Sequence, residues 1–336
     1  MKNLIHSSIK VLHKGGLLMV LMTKKNKPVR QGRKFFDKVR PYVYLSPALI
    51  SIFVLAFLPI LYTVYIAFTN YNLNHLEDFH LIGFANFVSI FSGPFKSIFF
   101  PVFGWTIIFA VVGTFGSFAV GLILAILLNN PNMKESSIYK GLLILPWALP
   151  GTIATLAWVG LLDMNFGGIN VLLKSLHIIN TGIPWLIEPF WARVGILIAT
   201  LWLGFPYMMN VCIGALSSIP NTFYEAADID GATKLQKFIK ITLPSLTSAS
   251  LPLLISSFSY NFSNLSAAYL ITGGLPARTT TQFAGYTDIL ASTIFKLSLT
   301  NNRYDMAAAF SIVLFFIIGT ISFINFKLSG AFKEVD

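Results

Sequence analysis

The chain alternates long apolar runs with short polar connections. At 1.5 Å of rise per residue, a helix of roughly 20 apolar residues crosses the hydrocarbon core of a bilayer. Runs of this length lie at about 43–69, 100–128, 141–162, 194–216, 247–272 and 305–326. The pattern therefore predicts an all-α membrane protein with six transmembrane helices and with both termini on the same side of the membrane.

Composition supports the membrane assignment. Hydrophobic residues make up 55% of the chain and charged residues 11%, and the mean hydropathy is +0.72. An average soluble domain carries about 25% charged residues, so a lipid environment explains this composition better than a large aqueous surface does. The single cysteine, Cys212, lies within the fourth apolar run and excludes an intrachain disulfide.

Basic residues orient the predicted helices. Of the 24 Lys and Arg residues, 18 fall in residues 1–42, in the loops 129–140 and 217–246, or at the C-terminal end from position 327. An excess of basic residues marks cytoplasmic segments, so these segments are predicted to be cytoplasmic. The chain then consists of a basic N-terminal segment 1–42, a six-helix transmembrane domain 43–327 and a tail 328–336.

The formal net charge of +11 does not indicate nucleic acid binding. Eleven of the cations precede Tyr42, where they favour contact with anionic lipid headgroups. A cleaved signal peptide is not expected, because the apolar run Leu17–Met22 is too short and more positive charge follows it. The membrane surface is the expected partner of this segment.

The sequence offers no catalytic centre. It contains no GxxxxGK[ST] phosphate-binding loop, and no acidic residue lies in the apolar middle of a predicted span. Inserting an ionisable side chain at the centre of a membrane helix costs about 2.5–3.5 kcal/mol, so such a residue is usually retained only for function. The absence of acidic residues from these positions favours an uncharged substrate. His75 and His80 flank two acidic residues, but their spacing favours a solvated polar loop over a metal site. We expect no ATP hydrolysis, metal or cofactor in this chain itself.

The loop between the fourth and fifth runs predicts two short helices. Asn221 is predicted to be the N-cap of the first helix, Glu225 lies near its positive end, and Gly231 suits a left-handed stop. Lys234 and Lys237, followed by a third lysine at the same spacing, share one face of the second helix and keep it in water or at lipid headgroups. Taken alone, the Glu-Ala-Ala triplet at 225–227 favours an ordinary helical hairpin between two spans, because these residues are good helix formers.

A polar stripe follows one face of the fifth predicted span. Ser257, Tyr260, Asn261 and Asn264 have the offsets 0, 3, 4 and 7. Hydroxyl and amide groups match the hydroxyls of a sugar, and an aromatic ring matches the apolar face of a pyranose. The pattern therefore favours a cavity for a neutral carbohydrate, although polar residues also serve as hydrogen-bonding links between membrane helices.

The fourth predicted span carries a second polar group. Tyr207 and Asn210 lie three residues apart, beside Gly204 and Pro206, which open or bend a helix. Two adjacent spans are thus expected to line one cavity. The residues alone leave both interpretations open, a substrate cavity or contacts between helices.

Two sets of motifs resemble a known family. The loop YEAADIDGATKLQKFIKITLP at 224–244 resembles the cytoplasmic signature of importer permeases driven by a separate ATPase. The segments that resemble MalF-like maltose and maltodextrin permease subunits of binding-protein-dependent ABC importers are LGFPYMM at 203–209, SFSYNFSNL at 257–265, TTT at 279–281 and AGYTDIL at 284–290. The likeness covers most of 43–336.

The resemblance implies roles for individual residues. Positions that line the sugar site of that family match Leu203, Gly204, Tyr207, Ser257, Tyr260, Asn261 and Asn264. Positions of its ATPase-coupling helix match Glu225, Ala226, Ala227 and Gly231. The resemblance thus implies an importer of maltose or maltodextrins, with the cytoplasmic loop as its mechanical joint.

The resemblance also implies an assembly in the bacterial cytoplasmic membrane. This chain would form half of the pore with a second permease subunit, and an extracytoplasmic binding protein would deliver the sugar. Two cytoplasmic ATPase subunits would bind ATP and Mg, and their closure would drive alternating access. Both termini of this chain would be cytoplasmic.

The chain departs from the family pattern in two places. Some relatives carry a large insertion after the first equivalent span, whereas about thirty residues connect Asn70 to the next span here. Tyr260 stands where an aromatic residue without a hydroxyl is common, which adds a hydrogen-bonding group. Sugar-length preference is therefore expected to differ.

Other functions stay open at the level of sequence. The substrate can be another neutral oligosaccharide. A secondary sugar carrier would use the same polar stripe but usually shows internal repeats, and the six runs show no convincing repeat. A membrane enzyme would need a nucleophile, a metal or an acid–base pair, and the candidates are scattered.

Overall fold

The structure is a computed structural model that describes residues 31–130, 133–281 and 283–328. The predicted N-terminal segment therefore lies outside the described residues up to position 30, and the predicted tail lies outside them from position 329. The described part is almost entirely helical, with two isolated bridges and no strand. The all-α membrane fold is confirmed. The chain divides into two units, residues 1–60 and 61–336.

The described part contains sixteen α-helices, which we number in chain order. They are α1 Gln31–Ile52, α2 Leu58–Ala67, α3 Ala85–Phe91, α4 Lys96–Val111, α5 Ser117–Leu128, α6 Ser136–Leu143, α7 Leu145–Ala148, α8 Gly151–Leu161, α9 Gly168–Ser175, α10 Pro189–Ser217, α11 Asn221–Ile229, α12 Lys234–Lys237, α13 Leu243–Ser263, α14 Leu265–Thr272, α15 Leu290–Leu299 and α16 Tyr304–Leu328. Single π-helical turns join three of these pairs, at Phe53–Phe57, Val112–Gly116 and Phe238–Thr242.

Helix α1 carries Pro47 without breaking. Proline has no N–H group, so the carbonyl four residues earlier loses its usual helical donor. In α1 that carbonyl belongs to Val43, and the hydroxyl of Ser46 donates a 2.8 Å hydrogen bond to it. This substitution of donors allows a proline-containing helix to stay continuous in an apolar environment.

Five helical stretches in the described residues are long and apolar enough to cross a membrane. They are Val39–Ala67, Lys96–Leu128, Pro189–Ser217, Lys234–Thr272 and Tyr304–Ile324. Each of them contains most of one predicted apolar run. The predicted run at 141–162 is the exception, because the structure divides it.

The division of the 141–162 run has a local cause at Pro150. A proline disfavours helical backbone at the residue before it, and Leu149 is extended, with φ −77° and ψ 146°. The run therefore consists of the end of α6, the four-residue α7 and the eleven-residue α8. The prediction of one continuous helix here is wrong, and the count of six crossings stays a prediction.

Helices α5 and α10 pack at very short range. A Cβ atom placed on Gly121 of α5 would lie 2.6 Å from the backbone nitrogen of Met209 and 2.8 Å from the carbonyl carbon of Met208. One turn away, a Cβ on Gly204 of α10 would lie 2.5 Å from Ser117 Oγ. Small residues let membrane helices approach closely, and this contact fixes α10 against α5.

The segment between α14 and α15 is held by a buried carboxylate. Asp288 is fully buried. Its side chain accepts hydrogen bonds from the Gly285 N–H at 2.7 Å, from Ser292 Oγ at 2.8 Å and from Lys296 Nζ at 2.6 Å. Burial lowers the pKa of the neighbouring Arg278 guanidinium, whose Nε donates to the Gly285 carbonyl at 3.0 Å. These contacts tie the segment to α15.

Candidate functional site

A cavity of about 590 Å³ opens between α5, α7, α8, α10, α13 and α14. Its lining contains nine residues with hydroxyl or amide side chains: Ser117, Thr152, Thr155, Thr200, Ser256, Ser257, Asn261, Asn264 and Ser266. The rest of the lining is aromatic or apolar: Pro146, Trp147, Leu149, Gly151, Leu203, Gly204, Tyr207, Tyr260 and Ala267. Among the described residues, no charged side chain lines this cavity.

Helix α10 supplies one wall of the cavity. Thr200, Leu203, Gly204 and Tyr207 follow the spacing i, i+3, i+4 and i+7, so they lie on one face. Leu203, Gly204 and Tyr207 were all predicted from the sequence. Asn210 was also expected in this polar group, but it does not line the cavity. Its Nδ2 donates to the carbonyl of Pro206 in its own helix at 3.1 Å.

Helix α13 supplies the facing wall. Ser257, Tyr260, Asn261 and Asn264 all line the cavity, as their common face predicted. Tyr260 is 66% exposed, so its ring is available to a ligand. The structure therefore places in one cavity all seven residues that the sequence analysis selected on these two helices. Their role in binding stays a prediction.

The fifth predicted span is divided at Asn264 into two helices, α13 and α14. The backbone of Asn264 leaves the helical region, with φ −77° and ψ 92°, and its Oδ1 accepts a 3.0 Å hydrogen bond from the Ser266 N–H. Asn264 is thus the N-cap of α14. An asparagine that caps one helix at the end of another produces irregular backbone beside the cavity, where polar groups need no lipid contact.

Asn261 has two roles in the cavity wall. It is only 7% exposed. Its Nδ2 donates at 3.1 Å to the carbonyl of Ser257 and at 3.1 Å to Thr114 Oγ1, which lies in the π-helical turn before α5. The side chain therefore lines the cavity and also links two membrane helices. The sequence analysis had treated a cavity wall and a contact between helices as alternatives, and Asn261 belongs to both.

Sequence reasoning missed the cavity residues that come from the other helices. Ser117 begins α5, Trp147 belongs to α7, and Thr155 belongs to α8. Ser117 Oγ is buried and has no hydrogen-bond partner among the described residues. The only signal for these residues was their polar or aromatic character within apolar runs, and that signal does not reveal which helix faces which.

The predicted coupling loop forms two short helices, α11 and α12. Gly231 between them has φ +69°, which confirms the predicted left-handed stop, and a Cβ at this position would meet no atom within 4 Å. The N-cap prediction for Asn221 is wrong. Asn221 is the first helical residue, and Pro220 occupies the cap position without a side-chain hydrogen bond. Proline, with φ fixed near the observed −62°, sets the helix start in place of a capping side chain.

Three interactions stiffen this loop. Tyr224 Oη and Thr242 Oγ1 lie 2.9 Å apart and join α11 to the π-helical turn after α12. Lys237 Nζ lies 2.6 Å from Asp228 Oδ1. Thr233 caps α12 with a reciprocal pair of hydrogen bonds to Gln236. The loop is a small braced unit rather than a loose connection.

The surface of α11 is exposed on the side that carries the predicted coupling residues. Glu225 and Ala226 are exposed and Ala227 is half-buried. Ile229, at the end of the same helix, is 88% exposed.

Comparison with known proteins adds the family. Residues 117–328 match the family described as binding-protein-dependent transport system inner membrane component. The chain is 36% identical over 318 residues to the galactooligosaccharides transport system permease protein GanP of Bacillus subtilis. This alignment covers 92% of this chain and 76% of that protein. It is 38% identical over 307 residues to the maltodextrin transport system permease protein MalC of Streptococcus pneumoniae, covering 88% and 70%.

Two further comparisons concern length and fold. The chain is 37% identical over 250 residues to the maltose/maltodextrin transport system permease protein MalF of Escherichia coli, covering 73% of this chain and 48% of that protein. Its fold matches a solved bacterial ABC transporter that imports the acidic polysaccharide alginate. The TM-score is 0.73 at 21% identity, over 91% of this chain and 100% of that chain.

Proposed function

Because this chain belongs to the family of binding-protein-dependent transport system inner membrane components, we propose that it is the permease subunit of an ATP-driven importer for maltose and maltodextrins. The relatives named as maltodextrin and galactooligosaccharide permeases support an oligosaccharide as the substrate. The family membership also argues against a secondary carrier that works without an ATPase.

The observation that carries the proposal is the chemistry of the cavity. Its described lining combines nine hydroxyl or amide side chains with three aromatic rings and carries no charge. Neutral hydroxyl groups of a sugar both donate and accept hydrogen bonds, as these side chains do, and aromatic rings cover the apolar faces of pyranoses. An ionic substrate would leave its charge without a partner in this cavity.

We assign binding roles within the cavity to seven residues. Tyr207 and Tyr260 contact sugar rings, and Leu203 and Gly204 form the surface between them. Hydrogen bonds to sugar hydroxyls come from Ser257, Asn261 and Asn264. Each neutral hydrogen bond contributes about 0.5–1.5 kcal/mol net, so the cavity holds the sugar weakly enough to release it.

Coupling to ATP hydrolysis runs through α11. Glu225, Ala226 and Ala227 form the surface that an ATPase subunit contacts, and Gly231 sets the turn that follows it. In the assembly that we propose, a second permease subunit completes the pore, two ATPase subunits bind ATP and Mg, and an extracytoplasmic binding protein delivers the sugar. The loop that contains α11 is then cytoplasmic, and so are both termini.

A second candidate substrate is a galactooligosaccharide. The observation that favours it is the 36% identity to GanP over 92% of this chain. Both candidates are neutral oligosaccharides and fit the same cavity chemistry. They differ in the orientation of one ring hydroxyl and in linkage, which side-chain hydrogen bonds distinguish.

The test is ATP hydrolysis by the assembled complex. A tagged form of this chain is purified with its copurifying subunits and reconstituted in lipid. It is then supplied with the extracytoplasmic binding protein of the same organism and either maltotriose or a galactosyl trisaccharide. We expect ATPase subunits to copurify and maltotriose to stimulate hydrolysis. Stimulation by the galactosyl sugar alone would reassign the substrate, and sugar uptake without ATPase subunits would overturn the importer.

A further inference from the structure

An aromatic pair stands at one end of the cavity, and only one of its members belongs to the predicted site. The ring centroids of Trp147 and Tyr207 lie 6.2 Å apart, with an angle of 41° between the ring planes. Both residues line the cavity. Trp147 comes from α7, the four-residue helix that the break at Pro150 separates from α8.

The ring of Trp147 is not used for packing in the way that the other tryptophans are. Its side chain is 57% exposed, whereas Trp105, Trp158 and Trp185 are 4–7% exposed and belong to hydrophobic clusters. Within the described part of the chain, Tyr207 is its only aromatic neighbour. A large exposed ring that faces a polar cavity is a stacking surface for a ligand.

The pair lies at a different level of the cavity from Asn261. A Cβ atom on Gly113 would lie 3.2 Å from Thr200 Cγ2 and 3.4 Å from Asn261 Cγ, so Thr200 and Asn261 lie at the same height. Tyr207 follows Thr200 by seven residues on α10. Seven residues of helix amount to about 10 Å, or two turns. The cavity therefore has an outer level at Thr200 and Asn261 and an inner level at Tyr207 and Trp147.

We propose that Trp147 is a substrate-contact residue which, with Tyr207, forms an inner subsite for a second region of an oligosaccharide, two helical turns from the level of Asn261. The inference rests on the proposed function. Its consequence is selection by length: a sugar long enough to reach both levels contacts both aromatic walls, while a shorter one satisfies only one of them at a time.

The break in the third apolar run gives the subsite its geometry. Pro150 ends the helical path after Ala148 and leaves Leu149 extended. Pro146, Leu149 and Gly151 then line the cavity beside Trp147. Irregular backbone at membrane depth is tolerated where it lines a cavity, and this irregular segment carries Trp147 at the cavity wall.

The test is equilibrium binding of radiolabelled maltose and maltotriose to the purified complex in lipid nanodiscs, without the binding protein. The variants are Trp147→Ala, Trp147→Phe and Leu145→Ala. Leu145 is the matched control, because it lies in the same short helix and is 53% exposed but does not line the cavity. Assembly of each variant is checked by copurification of the ATPase subunits.

We expect Trp147→Ala to weaken maltotriose binding by about 5- to 10-fold, as for loss of one aromatic contact, and maltose binding by less than half of that factor. Trp147→Phe keeps a ring and should retain most of the affinity, and Leu145→Ala should match the wild type. Unchanged maltotriose binding in Trp147→Ala, or equal weakening for both sugars, would overturn the inner subsite. A wild-type complex that binds neither sugar would instead overturn the proposed function, and the subsite with it.

Discussion

Asn261 Nδ2 donates a 3.1 Å hydrogen bond to Thr114 Oγ1 across two membrane helices. The same asparagine lines the cavity. Thr114 is fully buried and lies in the π-helical turn that separates α4 from α5. The wall of the cavity therefore also links two helices, and a single substitution at Asn261 is predicted to affect both stability and sugar binding.

These two effects can be separated with Thr114→Val, which removes the same interhelical bond but leaves the asparagine in the cavity. We expect Asn261→Ala and Thr114→Val each to lower the unfolding temperature of the purified complex. A double-mutant cycle should give a coupling energy of about 0.6 kcal/mol and at most about 1.7 kcal/mol. A coupling energy of zero would contradict the interhelical bond.

The contact between Gly204 and Ser117 predicts a destabilised variant and its rescue. A Cβ on Gly204 would lie 2.5 Å from Ser117 Oγ and 3.2 Å from Ser117 Cβ. Gly204→Ala should therefore destabilise the complex by about 1–3 kcal/mol, as overpacking does. Adding Ser117→Gly removes both contacting atoms and should recover most of the loss in thermal unfolding. Equal destabilisation with and without Ser117→Gly would contradict the close approach of α5 and α10.

Gly231 predicts a coupling defect without a packing defect. Its φ of +69° is unfavourable for a β-branched residue, although a Cβ at this position would meet no atom within 4 Å. Gly231→Val should therefore strain the turn by more than about 1 kcal/mol and sharply lower sugar-stimulated ATP hydrolysis. Membrane insertion should be unchanged.

The matched control for this turn is Gly231→Asn, because asparagine tolerates the left-handed conformation. It should retain more of the sugar-stimulated hydrolysis than Gly231→Val does. Normal coupling in Gly231→Val, measured at equal membrane levels of the complex, would contradict the role of the turn.

Two ion pairs of equal length predict losses of stability that differ in size when the carboxylate is removed. The Asp288–Lys296 pair is 2.6 Å long, with side chains 0% and 13% exposed, and the Asp228–Lys237 pair has the same length but side chains 62% and 19% exposed. Asp288→Ala leaves a buried cation and should cost about 3–5 kcal/mol, whereas Asp228→Ala should cost at most about 1 kcal/mol. Thermal unfolding of both variants checks the ranking, and Asp288→Ala/Lys296→Met should recover part of the loss.

The sequence predicted the helical membrane fold and the seven cavity residues on α10 and α13. The fold prediction depends on the length of the apolar runs, and the polar face of α13 on periodicity within one helix. The family motifs cover all seven cavity residues, and Leu203 was assigned through them alone. Ser117, Trp147 and Thr155 were missed because their position depends on how other helices rotate toward the cavity, and local periodicity does not encode that rotation. The family motifs quoted for the cavity did not include them either.

Two errors in the sequence-based reasoning fall at prolines. Pro150 divides the third predicted span, and Pro220 takes the position predicted for an Asn221 cap. Pro206 and Pro252, by contrast, lie inside continuous helices. Hydrophobic length alone does not distinguish a proline that ends a helix from one that is tolerated, because the outcome depends on whether neighbouring groups satisfy the freed carbonyl.

The most direct test of the account is uptake of labelled maltotriose by cells that lack this chain, complemented with the wild type, Asn261→Ala or Thr114→Val at equal membrane levels. The wild type should restore uptake, Asn261→Ala should lower the rate about 2- to 10-fold through the lost sugar contact, and Thr114→Val should stay close to the wild type. Failure of the wild type to restore maltotriose uptake, or equal loss in the two variants, would contradict a maltodextrin cavity lined by Asn261.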